Sequence, residues 1–170
     1  FDGLLRGEFR KKFGPVSGKI ERFEESDDGV RVKCVYSVNK GRAVFERYIF
    51  VRWPDEVAIV DSVELKNMAG SSGTVQRFLF GPTLDVRVDE RNKSILTSDD
   101  FSCTLFQLQD CDSELYRGED ASPVRGWFSK KYKEILPTYG VDFVQKAQMS
   151  QFATIIKLEK CESLAECSTA

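Results

Sequence analysis

The sequence predicts an all-β chain: an antiparallel β-sandwich, jelly-roll-like or a supersandwich fragment, with one long irregular loop. Three observations lead there. Apolar residues recur with a period of two along most of the chain, as in strands with one buried face. Turn residues punctuate those runs at short intervals, as antiparallel hairpins require. No segment carries the apolar stripe of a long amphipathic helix.

A first strand is expected near Ile20–Phe23. Asp27-Asp28-Gly29 then supplies the positive φ of a tight hairpin turn. Val30, Val32, Cys34 and Tyr36 alternate with Arg31, Lys33 and Ser37, which marks one dry and one wet face. Asn39-Lys40-Gly41 reads as the next turn. Ala43–Val51 is apolar on both faces apart from Glu46 and Arg47, which suits a central strand. The alternation returns in Val57, Ile59 and Val63, then in Leu84, Val86 and Val88. It recurs in Phe101, Cys103 and Leu105, and again in Phe152, Thr154, Ile156 and Leu158. Asp89–Lys93 separates two of these runs as a hairpin. Ala69-Gly70-Ser71-Ser72-Gly73 is a flexible loop. Residues 109–139, rich in Asp, Gly, Pro and aromatics, are expected to form the long irregular insertion, and such loops are often functional. Glu159–Glu166 reads as a helical turn or a frayed tail.

With 170 residues the chain is expected to be one domain over 1–170. The 41% apolar content supports a packed core and excludes a disordered chain. Lys plus Arg is 25 and Asp plus Glu is 27, a net charge of -2, so the basic excess of a nucleic-acid binder is missing. There is no histidine. A Ser-His-Asp triad, a Cys-His dyad and a histidine-based catalytic zinc site cannot be assembled within this chain. No run approaches the roughly 18 apolar residues of a membrane helix, and the opening FDGLLRGEFRKK is unlike a signal peptide. The missing initiator Met suggests a piece of something longer. Neither a phosphate-binding loop nor a dinucleotide fingerprint is present.

The five cysteines stand at 34, 103, 111, 161 and 167, with no C-x-x-C spacing. Cys34 and Cys103 fall in apolar alternations and read as reduced core thiols. Cys161 and Cys167 are close enough in sequence to pair, or stay free. Asn92-Lys93-Ser94 fits a glycosylation sequon that matters only in a secreted chain. The acidic run Glu24–Gly29 lacks calcium-loop spacing and reads as a hairpin turn. Arg10-Lys11-Lys12 reads as a solvated charge run.

The densest aromatic and basic cluster lies between Tyr116 and Gly140, with Arg125, Trp127 and Tyr132 at its centre. Aromatic faces can stack on sugar rings, and an Arg can pair bidentately with a uronate or sulfate. The plainer reading is that Trp127 and Phe128 plug one end of the sandwich and Arg125 ties down the loop. Arg47 interrupts an apolar strand, either as half of a solvent-facing ion pair or as a ligand-facing cation. Asp61 ends an apolar strand, and a buried carboxylate there needs a partner, a hydrogen-bond network or a metal.

Three clusters follow one another in a recognisable order: Arg47-Tyr48-Ile49-Phe50-Val51, Val57-Ala58-Ile59-Val60-Asp61-Ser62-Val63 and Gln76-Arg77-Phe78-Leu79-Phe80. The later Ser122-Pro123-Val124-Arg125-Gly126-Trp127-Phe128-Ser129-Lys130-Lys131-Tyr132 and Phe152-Ala153-Thr154-Ile155-Ile156 complete the series. Together they resemble the C-terminal β-sandwich region of heparinase II/III-like polysaccharide lyases. The resemblance spans roughly residues 30–160 and is carried by motif order more than by any single motif. It implies a β-sandwich that packs against a helical α/α toroid and helps close a cleft for uronic-acid polysaccharides. The parent reaction would be β-elimination, in which a base removes the C5 proton and an acid assists the leaving oxygen. It implies a secreted or periplasmic setting.

The departures from the family pattern bear on chemistry. Phe45 stands where the family often has His. Asp61 matches an Asp that joins two histidines at a structural metal in some members, and those histidines are missing here. Lys133 replaces the Gly that follows the family Tyr, matched by Tyr132. No catalytic residue, metal ligand or cofactor is therefore assigned to this chain, and it is not expected to be the catalyst by itself. The expected role is an accessory domain supporting the toroid, with Arg47, Arg125, Trp127 and Tyr132 as candidate contacts to an anionic polysaccharide. The alternatives are a stand-alone carbohydrate-binding module and a structural or protein-interaction sandwich.

Overall fold

The computed structural model describes residues 16–38, 41–66, 73–89, 94–98, 101–121, 124–131, 134–147 and 149–160. The Arg10–Lys12 run, the Asn92 sequon, Tyr132, Cys161 and Cys167 lie outside these residues, as does most of the 69–73 loop.

Among the described residues every regular element is a strand. They are β1 (Val16–Ser26), β2 (Gly29–Val38), β3 (Ala43–Arg52), β4 (Glu56–Leu65), β5 (Thr74–Leu79), β6 (Asp85–Asp89) and β7 (Ser94–Ser98). There follow β8 (Phe101–Gln107), β9 (Asp112–Arg117), β10 (Trp127–Lys131), β11 (Glu134–Pro137), β12 (Tyr139–Gln145) and β13 (Met149–Lys160). The expected all-β antiparallel class holds, and the sheets do not close into a barrel. Eight strands form one sheet in the order β1-β2-β3-β4-β13-β8-β7-β6. A smaller sheet, β5-β12-β9, carries three, and β10-β11 is a separate hairpin.

The alternation seen in the sequence selects the inner face of the large sheet. Arg47 pairs with Asp61 across β3 and β4, Phe152 stands beside Asp61 on β13, and Gln107 of β8 stands beside Thr154. The same period places Val141 and Phe143 of β12 on the inner face of the small sheet. Those two pack with Val86, Leu105 and Phe152 in the main core, joined by the half-buried Phe78, Leu115 and Ile156. Each of the five buried side chains contributes roughly 1.5–3 kcal/mol by leaving water. A smaller cluster of Ala43, Val63 and Leu65, with Val38 and Phe45 against it, closes one end of β3 and β4.

The stretch expected to be an irregular insertion, 109–139, carries three short strands instead. β9 joins the small sheet by pairing with β12, Leu115 opposite Val141. Its sequence hides the strand because four of its six residues are exposed and the two covered ones, Leu115 and Tyr116, are neighbours on opposite faces. Leu115 points to the core, while Tyr116 on the opposite face is 3% exposed beneath the loop that follows. Two adjacent apolar residues among polar ones do not show the alternation of a half-buried strand.

Candidate functional site

Two polar networks flank the small sheet, and adjacent residues of β5 divide them. Gln76 faces the sandwich interior and Arg77 faces away from it, as successive strand residues must.

The inner network starts at Arg47. Its Nε and Nη2 donate to Asp61 Oδ1 and Oδ2 at 2.6 and 2.7 Å, a bidentate pair. Gln76 Nε2 donates to the same carboxylate at 2.9 Å. The Gln76 carbonyl accepts from Thr154 Oγ1 at 2.7 Å and from Gln107 Nε2 at 3.0 Å. The Gln107 carbonyl in turn accepts the backbone N–H of Ala153 at 3.0 Å. Asp61, Gln76, Gln107 and Thr154 are all buried, and each finds partners inside the network. A satisfied network of this kind fixes one register between two sheets, because a one-residue slip would strand several buried polar groups. Of the partner, hydrogen-bond network or metal that its position called for, Asp61 has the first two, in Arg47 and Gln76. A guanidinium and an amide stand against the carboxylate that the resemblance links to a metal in some members.

The outer network is centred on Asp142, which is 3% exposed. Arg77 donates to both of its oxygens at 2.7 Å, Tyr116 Oη donates to Oδ1 at 3.0 Å, and Arg125 Nη1 donates to Oδ2 at 3.1 Å. Arg125 also pairs with Glu114 through Nη1 at 2.9 Å and through Nη2, and with Glu119 through Nε at 2.7 Å. Its guanidinium lies 4.1 Å from the Tyr116 ring centre. Burial pushes the Asp142 carboxyl up, but hydrogen bonds from Arg77 and Tyr116 outweigh it and leave the group below the usual range. Arg125 holds Glu114 low in the same way. Burial, together with the Asp142 carboxylate, pushes the Tyr116 phenol up to about 12.

The backbone makes room for this arrangement at Gly140, which pairs with Tyr116 across β12 and β9. A Cβ there would stand 2.5 Å from the Tyr116 ring. Any larger residue would push the phenol off Asp142. The loop is closed by Glu119 and Arg125, whose backbones pair as an isolated bridge, and Thr138 N donates to the Gly126 carbonyl at 2.7 Å.

The structure thus places Arg47 and Arg125 on opposite sides of the small sheet. Arg125 binds three carboxylates and ties its loop down. Trp127, half-buried, donates Nε1–H to the Glu119 carbonyl at 3.2 Å. Arg47 keeps 41% of its side chain exposed. Sequence reasoning missed Asp142, Gln76 and Gln107. An acid between two core residues, Val141-Asp142-Phe143, was the signal available for the first. Isolated glutamines in strands give no such signal.

No protein-family model matches the sequence, and no curated protein matches it. Solved structures do. A heparinase III gene product superposes on 85% of the chain with a TM-score of 0.65 at 14% identity. Heparan sulfate lyase HepC from Pedobacter heparinus covers 86% with a TM-score of 0.66 at 12% identity, and a mutant of HepC covers 95% at 11% identity. The chain spans only 22% of the length of the first two and 27% of the mutant. It therefore shares its fold with one part of heparinase III and HepC, as the order of its sequence motifs implied.

Proposed function

We propose that this chain is the accessory β-sandwich domain of a heparinase II/III-like protein acting on uronic-acid-containing polysaccharide. The observation that carries the reading is the superposition of most of this chain on about a fifth of a heparinase III and of a heparan sulfate lyase. A second feature supports it. The small sheet covers only part of the large one, and on the inner face of the uncovered strands Ile20 and Phe23 are 66% and 61% exposed. An apolar sheet face of this kind is normally covered by another layer. A helical toroid is the layer the reading supplies.

In this reading Arg47, Trp127 and Tyr132 offer contacts to an anionic glycan, and Arg125 positions the loop that carries Trp127. The catalytic acid and base belong to the toroid. The test is a lyase assay on the full-length parent and on this chain alone. Unsaturated uronate absorbance is expected from the parent only. Activity from the isolated chain would overturn the accessory role, and an inactive parent would overturn the lyase reading.

A further inference from the structure

The outer face of the large sheet, turned away from the small sheet, carries a hollow of about 550 Å³ beside the β1–β2 turn. Register explains it. Arg31, Phe50 and Ala58 stand side by side on this face, with Gly29, Arg52 and Glu56 in the next row. Ala58 and Gly29 leave the floor low while their neighbours rise around it. Gly29 cannot be replaced cheaply, because a Cβ there would stand 1.8 Å from the Val51 carbonyl oxygen. Trp53 forms one wall, tied by its backbone N–H to the Asp28 carbonyl at 3.0 Å.

The lining is chemically uneven. Trp53 is 53% and Phe50 40% exposed, two aromatic surfaces facing water in one concavity. A second hollow of about 370 Å³ adjoins the first through Arg31 and Phe50 and continues past Tyr48. Most cations here are paired: Arg52 with Glu56 at 3.7 Å, Lys33 with Glu21 at 3.0 Å, and Arg22 with Glu24 through Nε at 2.8 Å. Arg31 stands where the two hollows meet and has no hydrogen-bond or ion-pair partner among the described residues.

We propose that this groove is a binding subsite for an oligosaccharide residue carrying one carboxylate. The ring stacks on Trp53 or Phe50, and the carboxylate takes the bidentate donors of Arg31. The volume falls in the usual range of roughly 300–1,000 Å³ for small-molecule sites. Glu24, Asp27, Asp28 and Glu56 also line the groove, so a densely sulfated chain is repelled while one carboxylate is accepted. The sugar nature of the occupant rests on the function proposed above, but the position of the site does not. It lies on the opposite face of the large sheet from Arg47.

The two indole N–H signals, from Trp53 and Trp127, report the two regions separately in a ¹⁵N-labelled chain, and W53F assigns them. Non-sulfated heparosan hexasaccharide is titrated first. A saturable shift of the Trp53 signal is expected, with affinity reduced about tenfold or more in R31Q through loss of a charge-assisted bidentate contact. Maltohexaose, which has no carboxylate, and a heavily sulfated heparin hexasaccharide are both expected to bind more weakly. A Trp53 signal unmoved at millimolar heparosan overturns the site, whatever Trp127 does. Equal affinity in R31Q or for maltohexaose overturns the role of Arg31. Equal or tighter binding of heparin overturns the single-carboxylate specificity. A shift at Trp127 alone would refute this groove while supporting glycan contact at the 116–139 loop. Silence at both would count against both.

Discussion

The large sheet is two structures in one. Under the small sheet, the inner face of β13 and β8 is a closed core in which Phe152 and Leu105 are about as buried as side chains can be. Along β1 and β2 the same face lies open, and Ile20, Phe23 and Tyr36 meet water. The alternation is clear in β2 of the open half and in β13 of the closed one, while a bulge between Ile20 and Arg22 brings Ile20 and Phe23 of β1 to the same face. Period therefore tells which face is apolar, and says nothing of whether a second layer lies over it. The closed half holds the core, and the open half leaves apolar side chains in water.

The sharpest way to break that comparison is to cut the closed half. Phe152→Ala removes a side chain packed against Val141 and Phe143 and is expected to cost about 3–5 kcal/mol, since the cavity cannot collapse between two sheets. Urea unfolding measures it. A loss below about 1 kcal/mol would mean that the cluster is not the core.

The outer network should respond next, and through pH. The folded-state pKa of Asp142 is depressed, so its stabilising contribution is present above the ordinary carboxylate range. It is lost as pH falls through the folded value. Asp142→Asn is expected to cost roughly 2–3 kcal/mol at neutral pH, because Arg77 and Arg125 lose a shared partner but keep some access to water or to Glu114 and Glu119. The gap between variant and wild type should narrow on acidification. A gap that stays constant from neutral pH down to about pH 2 would show that the carboxylate charge contributes nothing.

How much of this was legible follows from the same contrast. The strands β2 and β13 could be read because one face is dry and the other wet, and β3 because an apolar run suits a central strand. The turn at Asp27-Asp28-Gly29 could be read because its residues suit a tight hairpin. β9 could not, because its two covered residues, the half-buried Leu115 and the buried Tyr116, are neighbours on opposite faces, and β10 and β11 are too short for a period to show. Of the site, the need of Asp61 for some partner was readable from a lone carboxylate in an apolar strand, but not that Arg47 and Gln76 would supply it. The partners of Arg125 were not. Glu114 and Asp142 reach it only through the pairing of β9 with β12, a contact 28 residues apart at its centre that no local pattern encodes.

The smallest expected effect on stability belongs to the open half, and it is the most informative. Phe23 stands opposite Val32 on the inner face of the outermost strand pair, beyond the edge of the small sheet. Its ring is largely in water already, so Phe23→Ser forfeits little burial. In the isolated chain the change should stay within about 0.5 kcal/mol, the range of ordinary surface substitutions. In the full-length parent the prediction reverses. If a toroid covers this face, the same serine removes an aromatic from a domain interface, and the β-domain should become the first part of the parent cut by limited proteolysis. A loss of several kcal/mol in the isolated chain would mean that the face is already covered by this chain's own residues. An unchanged cleavage pattern in the parent would place the toroid elsewhere. The two measurements on one substitution separate a face that folds the domain from a face that joins it to another.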